Sequence, residues 1–262
     1  MPDAKDGARI FLFDIETAPI AAYVWGIWKQ NVCMNQIERD WRMLTWSGKW
    51  LGEEEVLYDS NHLHGNCMDD SAIVASLHGY LDEADIVIAH NGNRFDIKKI
   101  NTRFLSHGMS PPSPYRKIDT LLEARKCFAF TSNRLDSLGE ALNLGRKMPT
   151  GGFSLWDRCM KGEDKAFEEM LEYNMEDVLL LERVYVALRP WMNNHPNLGV
   201  FDESPEPSCP KCNSYDLQWR GYATTQAGQY HRFQCNSCGG WGRDRMNDMD
   251  KEAKKGVMRN IQ

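Results

Sequence analysis

The sequence predicts an α/β protein with a mixed β-sheet flanked by helices, followed by a small cysteine-rich β-hairpin domain. Short apolar runs alternate with segments of helical periodicity over the first 200 residues. Two CxxC pairs follow an acidic, proline-containing connector, which is typical of a domain boundary. We therefore expect a first domain at 1–200, a linker at 201–207, a hairpin domain at 208–245 and a flexible tail at 246–262.

The first predicted strand ends in two carboxylates. Residues 9–15 read RIFLFDI, an almost unbroken apolar run that is typical of a central strand covered on both faces. Side chains alternate along a strand, so Asp14 and Glu16 point to the same side. Such a pair repels itself unless a cation lies between its members. The alternative is a strand end that runs into a solvated loop starting at Thr17.

A third carboxylate is predicted beside the end of a second strand. Residues 85–90 read DIVIAH, Asn91 and Gly92 interrupt this run, and a helical stretch starts near Phe95. Asp96 therefore lies near a helix N-terminus. On its own, Asp96 is better explained as a partner of the helix dipole, worth under about 1 kcal/mol.

The longest predicted helix spans about residues 163–188. Tyr173 and Asp177 are four residues apart, so they lie on the same face of this helix. The alternative is an amphipathic helix in which Tyr173 packs at the edge of the core and Asp177 faces solvent.

Taken together and in this order, the three segments resemble the DEDD exonuclease superfamily of ribonuclease-H-like fold, also called DnaQ-like. The residues that match its motifs are Asp14, Glu16, Asn91, Phe95, Asp96, Tyr173 and Asp177. Where one branch of the superfamily has a histidine, this chain has Glu172. The tyrosine identifies the other branch (DEDDy), which includes ribonuclease D and the proofreading domains of family B polymerases. The resemblance covers roughly residues 8–190.

The resemblance implies hydrolysis of a phosphodiester with two Mg²⁺ or Mn²⁺ ions, which stabilise the attacking and leaving oxygens together. Asp14 would bridge both ions, Glu16 and Asp177 would complete the first, and Asp96 would help to hold the second. Tyr173 would orient the attacking water.

We therefore expect a 3′ to 5′ exonuclease that releases nucleoside monophosphates from single-stranded 3′ ends, with DNA favoured and Asn91 and Phe95 as candidate substrate contacts. An RNA-trimming enzyme is the nearest alternative. A non-catalytic module that binds nucleic acid or a replication protein is an alternative of another class.

The four cysteines beyond the connector form two CxxC pairs separated by a hairpin-like interval, and this part of the chain resembles a zinc ribbon. They are Cys209, Cys212, Cys235 and Cys238. Four thiolates suit one tetrahedral Zn²⁺, which would stabilise a domain too small for a sufficient apolar core. Disulfides are the alternative, although the scattered spacing of the other four cysteines argues for reduced thiols.

The two predicted domains differ in charge. From residue 205 onwards there are nine Lys or Arg against six Asp or Glu, whereas the rest of the chain has 22 against 31. A mildly basic ribbon suits a phosphate backbone. Its candidate contacts are Arg220, Tyr222, Tyr230, Arg232, Arg243 and Arg245. The alternative is a docking module for a replication or repair protein.

Further aromatic side chains in the first domain are candidates for stacking on unpaired bases: Tyr23, Trp25, Trp28 and Trp156. By the family resemblance, Asp119 is a structural acid outside the metal site. No apolar run is long enough to span a bilayer and the N-terminal residues do not read as a secretory signal, so we expect a cytoplasmic protein without a membrane partner.

Overall fold

The computed structural model describes residues 7–260, which fall into two compact units. The first unit comprises Arg9–Tyr185, and the second comprises the chain from Val186 onwards together with residues 7 and 8. In chain order, the first unit contains β1 (Ile10–Thr17), β2 (Ala21–Ala22), β3 (Ile37–Arg39), β4 (Met43–Trp50), β5 (Leu57–Ser60), α1 (Ser71–Glu83), β6 (Ile86–Ala89), α2 (Asp96–Ser106), β7 (Arg116–Asp119), α3 (Thr120–Cys127), α4 (Leu135–Ala141), α5 (Phe153–Met160) and α6 (Asp164–Leu188), the last of which continues into the second unit.

The main sheet has five strands in the order β5-β4-β1-β6-β7. β1 pairs antiparallel with β4 and parallel with β6; β4 pairs antiparallel with β5, and β6 pairs parallel with β7. The strand predicted from residues 9–15 is thus the central one. The mixed sheet flanked by helices is confirmed.

The two faces of this sheet pack against different helices. Phe11, Phe13 and Ile15 alternate along β1 and contribute to a buried core shared with α1 and α2. On the opposite face, Thr45 hydrogen-bonds to Asn174 of α6, and Lys49 forms an ion pair with a second α6 residue. Asp14 and Glu16 belong to this second face because they alternate with the core residues.

Two helices of the first unit, α3 and α5, were not predicted from the sequence. β7 ends at Asp119, whose carboxylate accepts hydrogen bonds from the backbone N–H groups of Leu121 and Leu122 and so caps α3. The loop at residues 150–152 is followed directly by α5, which contains Trp156. A helix of eight residues is too short to show clear periodicity.

The second unit contains a separate three-stranded antiparallel sheet in the order β10-β9-β8. Its strands and its short helix are β8 (Leu217–Thr225), β9 (Gly228–Cys235), β10 (Trp241–Arg243) and α7 (Lys251–Lys255). Residues 201–207 carry no helix or strand. α7 lies within the segment that the sequence predicts to be a flexible tail; residues 261 and 262 of that segment, and 1–6 at the other end, lie outside the described residues. No described helix combines the length and the apolar character required to cross a membrane.

Candidate active site and cysteine cluster

Three acidic side chains converge where β1 meets α6. Asp14, Glu16 and Asp177 each offer a carboxylate oxygen, and these oxygens all lie within 4.8 Å of one another. Two of them come from alternate positions of one strand and the third from a helix packed on that face of the sheet. Three carboxylates at such distances repel one another strongly unless a proton or a cation is shared between them.

Asp96 adjoins this group from α2. Its side chain is buried, and its Oδ1 accepts a hydrogen bond of 3.3 Å from the backbone N–H of Ile15, which lies between Asp14 and Glu16. Burial raises the pKa of Asp96 to about 7, although the hydrogen bonds that its carboxylate accepts oppose the shift. The α2 N-terminus and the end of β1 therefore meet at this carboxylate.

Burial and mutual repulsion disfavour the charged forms of these carboxylates. Burial first, and then the neighbouring charges of Asp96, Glu16 and Asp177, hold the pKa of Asp14 well above its ordinary range. Burial and the charge of Asp177 raise the pKa of Glu16 to about 8. Near neutral pH, the site therefore favours protons or cations that offset its negative charge.

One basic residue that the sequence analysis missed lies inside this group. Lys147 Nζ donates a hydrogen bond to Asp177 Oδ2 and another, of 3.0 Å, to the phenol oxygen of Tyr173. Burial opposes the charge of this lysine, but Asp177 and Asp14 outweigh that effect and its pKa is raised. Lys147 follows α4 in a loop without periodic pattern, so no local signal distinguishes it from other surface lysines.

The second carboxylate oxygen of Asp177 is not hydrogen-bonded by the surrounding side chains. Asp177 Oδ1 is buried and has no hydrogen-bond partner among the described residues. A buried carboxylate oxygen without a partner is costly. An oxygen-binding divalent cation between Asp14, Glu16 and Asp177 would satisfy it, so the donor set fits Mg²⁺ or Mn²⁺.

Asn174 is a second residue that the sequence analysis missed. It is fully buried on α6, and its Nδ2 donates a 2.8 Å hydrogen bond to Asp14 Oδ2. Its own oxygen accepts a 3.4 Å hydrogen bond from the hydroxyl of Thr45 on β4. Asn174 therefore fixes the orientation of Asp14 from the helix side. In the sequence, the only indication of this role is the position of the asparagine between Tyr173 and Asp177.

Asn91 and Phe95 flank the turn between β6 and α2. Asn91 adopts a positive φ of 65°, and its backbone N–H donates a 3.0 Å hydrogen bond to Asp119 Oδ1. The backbone N–H of Asn93 donates to the other oxygen of the same carboxylate at 3.1 Å. Asp119 thus holds this turn by hydrogen bonds, which agrees with a structural role. Phe95 precedes α2, and its ring is partly exposed.

A cleft of about 450 Å³ lies at the end of β1, where Thr17 follows Glu16. It is lined by Thr17, Ala18, Pro19, Ile20, Trp41, Lys99, Phe153 and Trp156. The Trp156 ring meets that of Tyr173 edge to face, with centroids 6.3 Å apart. Lys99 Nζ lies 3.6 Å from the centroid of the Trp41 ring. The cleft therefore offers aromatic surface and a positive charge beside the carboxylates.

The other aromatic candidates of the first domain do not line this cleft. Tyr23, Trp25 and Trp28 lie in the connection between β2 and β3, where the side chain of Trp25 is 99% exposed. The structure therefore separates Trp156, which contacts Tyr173, from these three.

The four cysteines of the second unit converge in space. Their Sγ atoms all lie within 4.8 Å of one another, with 3.7 Å between Cys209 and Cys238 and 3.6 Å between Cys212 and Cys235. All are free thiols, so the disulfide alternative does not hold here. Four sulfurs around one Zn²⁺ at about 2.3 Å would be separated by roughly 3.8 Å, so the cluster fits a tetrahedral zinc site. A hydrogen bond from Cys212 lowers the pKa of Cys209 to about 5, which favours a thiolate at this position.

The candidate contacts of the hairpin domain fall on two different faces. Arg220, Tyr230 and Arg232 share one face of the three-stranded sheet, whereas Tyr222 pairs with His231 and contacts its ring on the opposite face, with centroids 4.9 Å apart. The sequence analysis missed Trp241, which lies beside Arg232 on the first face.

The five-stranded mixed sheet with its converging acids defines an α/β protein of ribonuclease-H-like fold. A family model of the RNase_H superfamily matches residues 11–189, more than half of the chain, and the chain belongs to this superfamily.

Two known proteins are similar to parts of the chain. A DNA polymerase III PolC-type protein of Ureaplasma parvum serovar 3 is 35% identical over 82 residues, which cover 30% of this chain and 5% of that protein. The family B DNA polymerase of the archaeon Pyrobaculum calidifontis has a similar fold, with a TM-score of 0.51 and 12% sequence identity over 70% of this chain and 25% of that one. The chain thus matches only a small part of each polymerase.

Proposed function

We propose that the protein is a metal-dependent 3′ to 5′ exonuclease that releases nucleoside monophosphates from single-stranded 3′ ends, with DNA favoured over RNA. The main support is the convergence of the carboxylates of Asp14, Glu16 and Asp177, together with a buried oxygen of Asp177 that has no hydrogen-bond partner among the described residues. Membership of the RNase_H superfamily and the similarity to parts of two DNA polymerases agree with this proposal.

Asp14, Glu16, Asp96 and Asp177 would hold two Mg²⁺ or Mn²⁺ ions. When bound, such a pair stabilises negative charge on the attacking and leaving oxygens of a phosphodiester. Asp14 is the central ligand in this proposal because a carboxylate oxygen of Asp14 lies within 4.8 Å of those of Glu16 and Asp177. Burial first, and then the charges of the three other acids, raise its pKa. Asn174 holds its carboxylate in place by a hydrogen bond.

Tyr173 and Lys147 act at the α6 side of the site. Burial and the charge of Asp177 raise the pKa of Tyr173, so its phenol keeps its proton at neutral pH. A protonated phenol cannot act as the base, but it can orient a water molecule by hydrogen bonding. Lys147 places a positive charge next to Asp177 and Tyr173, where it offsets part of the negative charge of the acids and of the substrate phosphate.

The cleft beside the acids is where we place the terminal nucleotide. Trp156 and Trp41 present ring surface for the base, and Lys99 presents a positive charge for a phosphate. Trp156 links the cleft to the chemistry because it contacts Tyr173.

We further propose that the cysteine cluster holds one structural Zn²⁺ and that the second unit is a zinc ribbon. The support is the match between the observed sulfur separations and a tetrahedral ion.

The test uses single-stranded DNA and RNA of one sequence, each labelled at its 5′ end and incubated with Mg²⁺, with Mn²⁺ or with EDTA. We expect a ladder that shortens from the 3′ end, faster on DNA, and none with EDTA. Faster shortening of RNA would favour the exoribonuclease alternative. Binding without cleavage under either metal would favour a non-catalytic module.

Matched variants connect this activity to the site. Asp14→Ala and Asp177→Ala should abolish cleavage, whereas Tyr173→Phe should slow it less because the metal ligands remain. Glu172→Ala removes an exposed carboxylate from the same helix and should retain full activity. Cleavage that persists in Asp14→Ala or Asp177→Ala would refute the assigned site.

A further inference from the structure

We propose that one face of the three-stranded sheet in the second unit is a separate binding site for single-stranded nucleic acid, in which a base stacks on Trp241 and the backbone phosphates contact Arg220, Arg232 and Arg243. We call this surface, formed by these four residues and Tyr230, the arginine–tryptophan face. It lies outside the acidic group to which the exonuclease activity is assigned.

Strand pairing explains why these side chains share a face. Arg243 of β10 pairs with Arg232 of β9, and Trp241 pairs with Gln234. Because side chains alternate along a strand, residues 230, 232 and 234 point to the same side as residues 241 and 243. Tyr230, Arg232, Trp241 and Arg243 are therefore neighbours.

An irregularity in β8 adds the third arginine. Trp219 pairs with Phe233 and Tyr222 pairs with His231, so two residues of β8 lie opposite the single residue Arg232. One of the two is Arg220; the other is a glycine with a φ of +64°, a conformation that favours glycine. The bulge therefore keeps Arg220 on the arginine–tryptophan face and directs Tyr222 to the other.

The guanidinium groups lie close to the aromatic rings. Arg232 Cζ is 5.0 Å and Arg220 Cζ is 5.8 Å from the centroid of the Trp241 ring. Arg243 Cζ is 3.7 Å from the centroid of the Tyr230 ring. The Trp241 side chain is still 46% exposed, so part of its ring remains open to a ligand.

The positive charge of this face has no local counterpart. In the part of the chain that the structure describes, none of the three arginines pairs with a carboxylate. Their hydrogen bonds go instead to the side-chain oxygen of Gln218 and to the carbonyl oxygens of Arg220 and Asp244. Three neighbouring cations without acids favour an anionic ligand.

The combination of guanidinium groups with an exposed indole ring indicates which class of anionic ligand this face binds. Phosphates match guanidinium groups in charge and geometry, and an exposed indole ring flanked by two of them matches a planar base. In a duplex, the faces of the bases are already stacked on their neighbours. An acidic peptide would use the charges but would leave the ring without a stacking partner. A single strand uses both features.

The test measures binding by the full chain in the Asp14→Ala background without added divalent metal, so that cleavage does not interfere. The probes are fluorescently labelled dT12 and rU12, a 12-base-pair duplex and a polyglutamate peptide. Trp241→Ala should weaken binding of the single strands by about 5- to 150-fold, the factor equivalent to stacking one base. Trp241→Phe, which keeps a ring, should weaken it less.

Two arginine variants form a matched pair. Arg232→Gln should weaken binding and reduce the slope of log K against log salt by about 0.7, the value for one phosphate contact with a single strand. Arg259→Gln removes the same charge from an exposed position beyond α7, outside the three strands, and should change neither quantity. Bound zinc and the circular dichroism spectrum of each variant verify that its sheet is intact.

Three results would overturn the proposal: Trp241→Ala that binds single strands as tightly as its parent, equal effects of Arg232→Gln and Arg259→Gln, or a duplex or polyglutamate that binds as tightly as dT12 and depends equally on Trp241.

A separate assay distinguishes failure of this binding proposal from failure of the proposed exonuclease activity, on which it does not depend. The chain with the native Asp14 is given the p-nitrophenyl ester of thymidine 5′-monophosphate, which has no second nucleotide to stack on Trp241. Trp241→Ala should hydrolyse this ester at the parental rate. Absence of hydrolysis in the parent would count against the exonuclease and would leave the binding result unaffected.

Discussion

At the scale of single residues, the candidate site is a group of acids that hydrogen-bond to one positively charged side chain and one neutral side chain. Lys147 neutralises part of the charge of Asp177, and Asn174 orients Asp14. Neither belongs to the motifs that the sequence displays. Side chains that hold metal ligands commonly affect metal affinity or activity 10- to 100-fold when they are removed.

Asn174→Ala should therefore lower activity about 10- to 100-fold and raise the Mg²⁺ concentration required for half-maximal rate, because Asp14 loses the donor that fixes its carboxylate. Steady-state rates over a Mg²⁺ titration measure both effects. Thr45→Ala, which keeps the Asn174–Asp14 hydrogen bond, should have a smaller effect. An unchanged Mg²⁺ dependence in Asn174→Ala would show that Asn174 does not position the ligand.

At the scale of secondary structure elements, β1 organises the first unit because it is the central strand and contributes core residues to one face of the sheet and acidic residues to the other. Its Phe11 ring packs directly over Gly48 of β4, where an added Cβ would lie 2.2 Å from a ring carbon. The absence of a side chain at Gly48 therefore lets the aromatic core approach the sheet closely.

Gly48→Ala should destabilise the protein by about 1–3 kcal/mol, because either the Phe11 ring or the strand must move. Gly79→Ala is the matched control: this glycine lies in α1, and no atom lies within 4 Å of its added Cβ. That change should be neutral or stabilising by up to about 1 kcal/mol. Denaturant unfolding of both variants measures the difference, and equal stabilities would contradict the packing argument.

We expect the fold of the second unit to depend on its four clustered cysteines. Cys209→Ser should reduce bound zinc from one equivalent to none and destabilise β8–β10, because a small sheet relies on its metal for folding free energy. Cys33→Ser, at an exposed cysteine of the first unit, should retain the zinc. Elemental analysis and limited proteolysis measure these outcomes. Full zinc content in Cys209→Ser would disprove the assigned ligands.

At the scale of the whole molecule, the two units differ in the charged side chains that they bring together. The first concentrates acids that repel one another, whereas the second presents Arg220, Arg232 and Arg243, none of which pairs with a carboxylate among the described residues. The chain has a net charge of −6, so this division is not visible in the total. The stability of the molecule should therefore depend on pH mainly through the acidic group.

Without divalent metal, the melting temperature should fall as pH rises from about 5 to 8. The pKa values of Glu16 and Asp96, about 8 and about 7, exceed their ordinary values of 4.5 and 3.8. In this window the folded chain therefore binds more protons than the unfolded chain, and stability decreases as they are lost. Thermal unfolding at several pH values measures the slope.

Two comparisons sharpen this prediction. Mg²⁺ or Mn²⁺ should raise the melting temperature more at pH 8 than at pH 6, because metal ligands must be deprotonated. Glu16→Gln should flatten the metal-free pH dependence, whereas Glu172→Gln should not. A metal-free melting temperature that rises with pH would contradict the electrostatic account.

The sequence by itself determined the elements that local patterns encode. The apolar run of β1, the periodicity of α6 and the CxxC spacing depend on neighbours along the chain, so strands, helices and candidate ligands followed from them. Short helices such as α3 and α5 were not predicted because one or two turns give too little periodicity.

Only the tertiary structure decided which side chains meet. Lys147 reaches Asp177 across 30 residues and Asn174 reaches Asp14 across 160. Such encounters depend on strand order and helix packing, which no local pattern specifies. The placement of Tyr222 opposite Arg220 likewise depends on one extra residue in β8. Because side chains alternate along a strand, a single bulge decides which residues share a surface.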